Sequence, residues 1–115
     1  MSEGVTDRRG GGERIAFRMR LKPGAAAEYR ERHDALWPEL GALLREAGIS
    51  DYSIWLDPET DALFAILTRR ADHAMDALPG HELMRRWWAY MAPLMDVNDD
   101  DSPVVVPLER TFQLD

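Results

Sequence analysis

YSIWLDPETDALFAILTR, residues Tyr52 to Arg69, reads as two strands and the turn between them. Tyr52, Ile54 and Leu56 alternate with Ser53, Trp55 and Asp57, the period of two that marks a half-buried strand. Pro58 and Asp61 supply turn chemistry, so the two runs form a hairpin with a loop of about four residues. A helical pattern flanks this hairpin on each side, and that placement decides the architecture.

On the N-terminal side the helical stretch runs from about Ala25 to Ala47, with Gly48 as its stop. Pro38 falls inside it and should kink the helix or begin a second segment, because proline lacks the amide donor and clashes with the preceding turn. Before it, RIAFRMRLK (Arg14–Lys22) sets Ile15, Phe17, Met19 and Leu21 on one face against Arg14, Ala16, Arg18, Arg20 and Lys22 on the other. Pro23-Gly24 ends that strand. On the C-terminal side a helical region starts near Asp72, breaks at Pro79-Gly80 and resumes through HELMRRWWAYMAPLM (His81–Met95). Asp96 to Pro103 forms an acidic loop. VVVPLERTFQL (Val104–Leu114) closes the chain as a last strand, with Pro107 favouring an edge or bulged position.

The order is β-α-β-β-α-β, an α+β chain of the ferredoxin-like type: an antiparallel sheet with helices on one face. The other face needs a cover, and a second subunit is the usual one, which gives the dimeric α/β-barrel type. Residues 1–13, with three consecutive glycines and few apolar side chains, read as a flexible tail. Residues 14–115 form a single domain.

Composition narrows the function. The net charge is −7, from 14 basic and 21 acidic residues, which disfavours nucleic acid and anionic membranes alike. With no cysteine there is no disulfide, thiolate metal site or cysteine nucleophile. No apolar run is long enough to span a bilayer and no signal-peptide pattern opens the chain, so a cytoplasmic location is expected. Asp96, Asn98 and Asp100 imitate the start of a calcium loop. The match fails where glycine and glutamate are required, at Asp101 and Pro107. No histidine pair has the spacing of a zinc helix, and no phosphate loop or serine-nucleophile motif occurs.

What remains is aromatic and imidazole chemistry. Tyr29, His33 and Trp37 recur every fourth residue and share one helical face. RRWWAYM adds Trp87, Trp88 and Tyr90, the adjacent indoles pointing about 100° apart. Flat aromatic faces pack against the C–H faces of a sugar ring, and indole N–H donates to hydroxyls. Core packing explains any one of these side chains as well, and Trp37 reads as core.

EYRERHDALWPEL, YSIWLD, LFAILT, RRWWAYM and the closing SPVV…L…F together resemble the L-rhamnose mutarotase family, from about Arg14 to Leu114. The resemblance implies a homodimer that interconverts the α and β anomers of L-rhamnopyranose without a cofactor or metal. It also implies His33 as the proton-transferring catalytic residue, with Tyr29, Tyr52, Trp87 and Trp88 binding the sugar. The longer N-terminal tail and the more acidic NDDDSP loop depart from the family pattern. Two other classes use the same fold: a small cofactor-free monooxygenase, and a ligand-binding dimer without catalysis.

Overall fold

The computed structural model describes Val5, Thr6 and residues 12–115. Most of the expected tail, residues 1–4 and 7–11, lies outside the described residues. Strand β1 (Val5–Thr6) pairs with Arg14 and Glu13 at the start of β2 (Glu13–Arg20). Strands β3 (Ile49–Asp57) and β4 (Ala62–Arg69) form the hairpin, and β4 lies between β3 and β2. All pairings are antiparallel. The four residues Pro58–Asp61 make the turn. Asp57 organises it by accepting from the Glu59 amide at 3.0 Å and the Thr60 hydroxyl at 2.9 Å.

Three helices pack on one side: α1 (Ala26–Asp34), α2 (Pro38–Glu46) and α3 (Glu82–Met91). The long helical stretch thus divides at Pro38, which occupies the first turn of α2, where its missing amide costs nothing. Gly48 stops α2 at φ +95°, a conformation that suits glycine. A short 3₁₀ segment, Met75–Gly80, precedes α3. The His73 and His81 imidazoles accept from the Met75 and Leu83 amides, so both serve as local caps.

The last strand is shorter than its sequence suggests. Only Val106–Pro107, β5, pairs with β2, at Arg18 and Phe17, and residues 109–115 are irregular and exposed. Two causes are visible. Pro107 has no amide to continue the ladder, and β1 already occupies the other end of the same β2 edge.

The core lies between sheet and helices. Leu21, Leu40, Leu63 and Leu67 are fully enclosed there, each stabilising the fold by about 1.5–3 kcal/mol. Cross-strand partners follow the expected faces: Met19 with Leu63, Phe17 with Ala65 and Ile15 with Leu67 face the helices.

The sheet carries one irregularity, in β3. Between Ser50 and Ser53 this strand has one residue more than the β4 segment it faces, a β-bulge. Asp51 sits there at φ +49°. Because sides alternate along a strand, Ile49 and Tyr52 would otherwise point to opposite faces. The extra residue puts both on the helix side, together with Ile54 and Leu56. Ser53 and Trp55 face outward, joined by a 3.0 Å hydrogen bond from the indole to the serine hydroxyl.

Aspartate tolerates this left-handed conformation and a β-branched residue does not. Asp51→Val is therefore expected to lower stability by about 1–2 kcal/mol, whereas Asp51→Gly stays within about 0.5 kcal/mol of the parent. Urea unfolding of the two variants checks the difference. Equal losses would mean that the exposed ion pair from Arg14 to Asp51, not backbone geometry, sets the cost.

Candidate active site

A cavity of about 1010 Å³ opens between the helices and the inner face of the sheet. Its floor is the apolar core surface, including Met19, Leu63, Met84 and Met91. Its polar wall comes from three elements. α1 contributes Tyr29, Arg30, His33 and Asp34; β3 contributes Ser50, Asp51 and Tyr52; α3 contributes Trp87 and Trp88. All five side chains singled out from the sequence as site candidates border this one cavity.

His33 is the best defined of them. Its Nδ1 lies 3.1 Å from the Tyr29 carbonyl oxygen, one turn earlier in α1. A carbonyl only accepts, so Nδ1 carries the proton and the lone pair of the neutral ring falls to Nε2. Among the described residues Nε2 has no hydrogen-bond partner. The Tyr29 ring lies 4.3 Å from the imidazole, tilted by 34°, and Trp87 meets it edge to face at 5.4 Å. Burial lowers the imidazole pKa from its ordinary value. The bond to Tyr29 and the nearby Asp34 carboxylate only partly oppose that shift. At neutral pH the ring is therefore an uncharged base.

The two tyrosines are shifted the other way. Tyr29 is buried, and desolvation, reinforced by Tyr52, raises its pKa well above the ordinary phenol value. Tyr52 lines the cavity and is 40% exposed. Desolvation pushes its hydroxyl pKa up to about 12. Neither hydroxyl has a hydrogen-bond partner among the described residues, and neither does the Trp87 indole N–H. No polar side-chain atom sealed within a non-exposed residue lacks a partner among the described residues, so the Tyr29 hydroxyl and the Trp87 indole N–H both reach open space and can donate to a ligand.

Trp88 is half-buried and lines the cavity without a ring contact among the described residues. Trp37 does not line it. Its ring meets Trp87 at 5.0 Å and Tyr90 at 5.5 Å and is partly buried against the core.

Some lining residues were not singled out from sequence. Arg30 and Asp34 flank the two named residues of α1, and only the helical register could have drawn attention to them. Asn98 and Ser102 reach the cavity from the acidic loop. There the Asn98 amide donates to the Ser102 and Pro103 carbonyls, and Asp100 accepts from the Ser102 amide at 3.0 Å. The loop's polar groups thus satisfy one another. Among the described residues no cluster of three or more His, Asp or Glu is arranged to hold a metal ion, and no helix is long and apolar enough to cross a membrane.

Comparison with known proteins gives a consistent picture. The sequence model of L-rhamnose mutarotase matches residues 14–114. An L-rhamnose mutarotase of Sinorhizobium fredii is 60% identical over 102 residues, covering 89% of this chain and 98% of that protein. One from Acidiphilium cryptum is also 60% identical, over the same shares. The crystal structure of an L-rhamnose mutarotase from Formosa agariphila superposes with a TM-score of 0.83 at 47% identity, over 90% of this chain and 99% of that one. Match, coverage and fold together place the chain in the L-rhamnose mutarotase family.

Proposed function

We propose that this chain exchanges the α and β anomers of L-rhamnopyranose, with His33 Nε2 as the atom that moves the proton and no cofactor in any step. The observation that carries the assignment is an uncharged imidazole whose tautomer leaves Nε2 unpartnered at an aromatic cavity.

Anomer exchange needs the proton of the anomeric hydroxyl removed and a proton given to the ring oxygen. Both oxygens are bonded to the same carbon, so one nitrogen can serve both. Nε2 takes the hydroxyl proton, the bond from the anomeric carbon to the ring oxygen breaks, and the imidazolium returns the proton to the departing oxygen. The open-chain aldehyde turns about its C1–C2 bond. Closure on the opposite face runs the same transfers in reverse. Phenols with raised pKa values stay protonated throughout; Tyr29 and Tyr52 therefore act as neutral donors to sugar hydroxyls, not as bases. Trp87 and Trp88 offer flat apolar surface to the ring's C–H face. The substrate is uncharged and asks for no cationic clamp.

A homodimer in the cytoplasm completes the reading. It is supported by apolar surface that a lone subunit leaves to water: Trp55 on the outer sheet face is 63% exposed, and Phe112 and Leu114 in the C-terminal segment 75% and 82%.

Saturation-transfer NMR on equilibrated L-rhamnose tests the activity, with fucose and mannose as comparisons. Exchange faster than in buffer is expected for rhamnose, and exchange at the buffer rate for all three sugars would overturn the proposal. The pH profile tests the base. Because kcat/KM requires neutral His33, it should fall with acid, with a midpoint below the ordinary 6.5. No basic limb is expected before the tyrosines titrate. Stability follows the same sign. The folded pKa lies below the unfolded one, so the unfolded chain takes up the proton first, and stability declines as pH falls from 6.5 towards the folded pKa.

A further inference from the structure

Building on the catalytic reading of His33, we propose that Trp37 is a positioning residue for the reaction: acting through Trp87, it fixes where the His33 imidazole stands in the cavity.

The contacts form a directed stack. Nδ1 of His33 is tied to the Tyr29 carbonyl, which leaves the ring free to rock about that bond. Two neighbours limit the motion: Tyr29 on one side at 4.3 Å, and Trp87, perpendicular to it at 5.4 Å. Tyr29 belongs to the same helix as His33 and moves with it. Trp87 comes from α3, so its position relative to α1 depends on whatever holds the two helices in register.

Trp37 is placed to do that. Its ring, which does not line the cavity, meets Trp87 at 5.0 Å and 85° and also meets Tyr90 at 5.5 Å. Tyr90 in turn lies 5.7 Å from Trp87. Arg32 of α1 covers the Tyr90 ring with its guanidinium at 4.1 Å, donates to the Tyr90 carbonyl and pairs with Glu28. This set forms one brace between α1 and α3, and Trp37 is the member that touches both Trp87 and Tyr90 of α3.

The backbone of Trp37 is itself constrained. It precedes Pro38, caps α2 at φ −60° and ψ 125°, and its carbonyl accepts from the Leu40 and Gly41 amides. A residue before proline is held to this extended region, so the indole starts from a preset anchor. The row Tyr29, His33, Trp37 thus ends in a residue that never reaches the ligand but determines how the row meets it.

The test compares Trp37→Leu and Trp37→Phe with Leu43→Ala, which removes packing from α2 at a residue that does not line the cavity. Two quantities are read on folded protein: kcat and KM for rhamnose exchange, and the NMR titration of the His33 imidazole, identified among the three histidines by its absence in His33→Gln. The groups able to carry charge that line the cavity with that ring are Tyr29, Arg30 and Asp34 of α1, Arg45 of α2, and Asp51 and Tyr52 of β3, all unchanged in these variants.

For Trp37→Leu, kcat should fall about 10- to 100-fold, as displacement of a reacting group does, with a smaller change in KM. The His33 titration should move up towards its ordinary value as water enters beside the ring. Trp37→Phe should fall between Trp37→Leu and the parent in both readings. Leu43→Ala should lose stability and leave both readings unchanged. Parental kcat and titration in Trp37→Leu overturn the proposal, as does an equal shift in Leu43→Ala. If Trp37→Leu does not fold, parental values in Trp37→Phe overturn it instead. The titration does not use the sugar, so a failed rhamnose assignment and a failed brace give different results.

Discussion

His33→Ala is expected to cut the accelerated anomer exchange by about 10²- to 10⁴-fold, the usual contribution of one positioned acid or base. The substitution removes Nε2, the only atom given both halves of the proton transfer, while Tyr29, Tyr52 and the tryptophans remain to bind sugar. Two losses in the fold are modest. The imidazole is half-buried, and its bond to the Tyr29 carbonyl is worth about 1 kcal/mol. Alanine's helix propensity returns part of this at an interior position of α1. The variant should therefore melt near the parent temperature and still bind rhamnose. Parental exchange rates in a folded His33→Ala protein would remove the residue from the mechanism.

Trp87→Ala is expected to have the largest effect on stability, a loss of about 3–5 kcal/mol. Trp87 is 6% exposed and its ring meets His33, Trp37 and Tyr90. Removing it leaves a hole joined to the existing cavity and frees three rings at once. A domain of this size has only about 5–15 kcal/mol in total, so the urea midpoint should drop by about a fifth or more. Trp88→Ala makes the contrast: a half-buried side chain with no ring contact among the described residues should cost distinctly less. Equal losses for the two would show that burial, not the ring network, governs this helix.

The hairpin, the division at Pro38 and the stop at Gly48 were legible because each rests on local chemistry: alternation, a missing amide, a positive φ. The final strand was only partly legible. VVVPLERTFQL has strand composition, but pairing depends on which β2 groups are unoccupied, and that is a property of the assembled sheet.

The site shows the same division. Spacing alone put Tyr29 and His33 on one face of α1. The meeting of that face with Trp87 depends on how α1 and α3 pack, which no periodicity encodes, and the resemblance to relatives supplied it. The tautomer of His33 and the direction of its pKa shift required the backbone carbonyl and the burial to be seen. Trp37 shared the four-residue rhythm and read as core from the sequence, and the cavity's outline leaves it out of the wall.

The bulge at Asp51 bears on how such a protein can change over generations. Ile49 belongs to the core and Tyr52 to the cavity, on the same side of one strand, because a single additional residue separates them. A point mutation alters one of these side chains and leaves the others facing inward. Loss of one codon between them turns over either Ile49 or the whole set of Tyr52, Ile54 and Leu56. The cavity wall can thus drift residue by residue, but its reading frame along β3 admits no shortening.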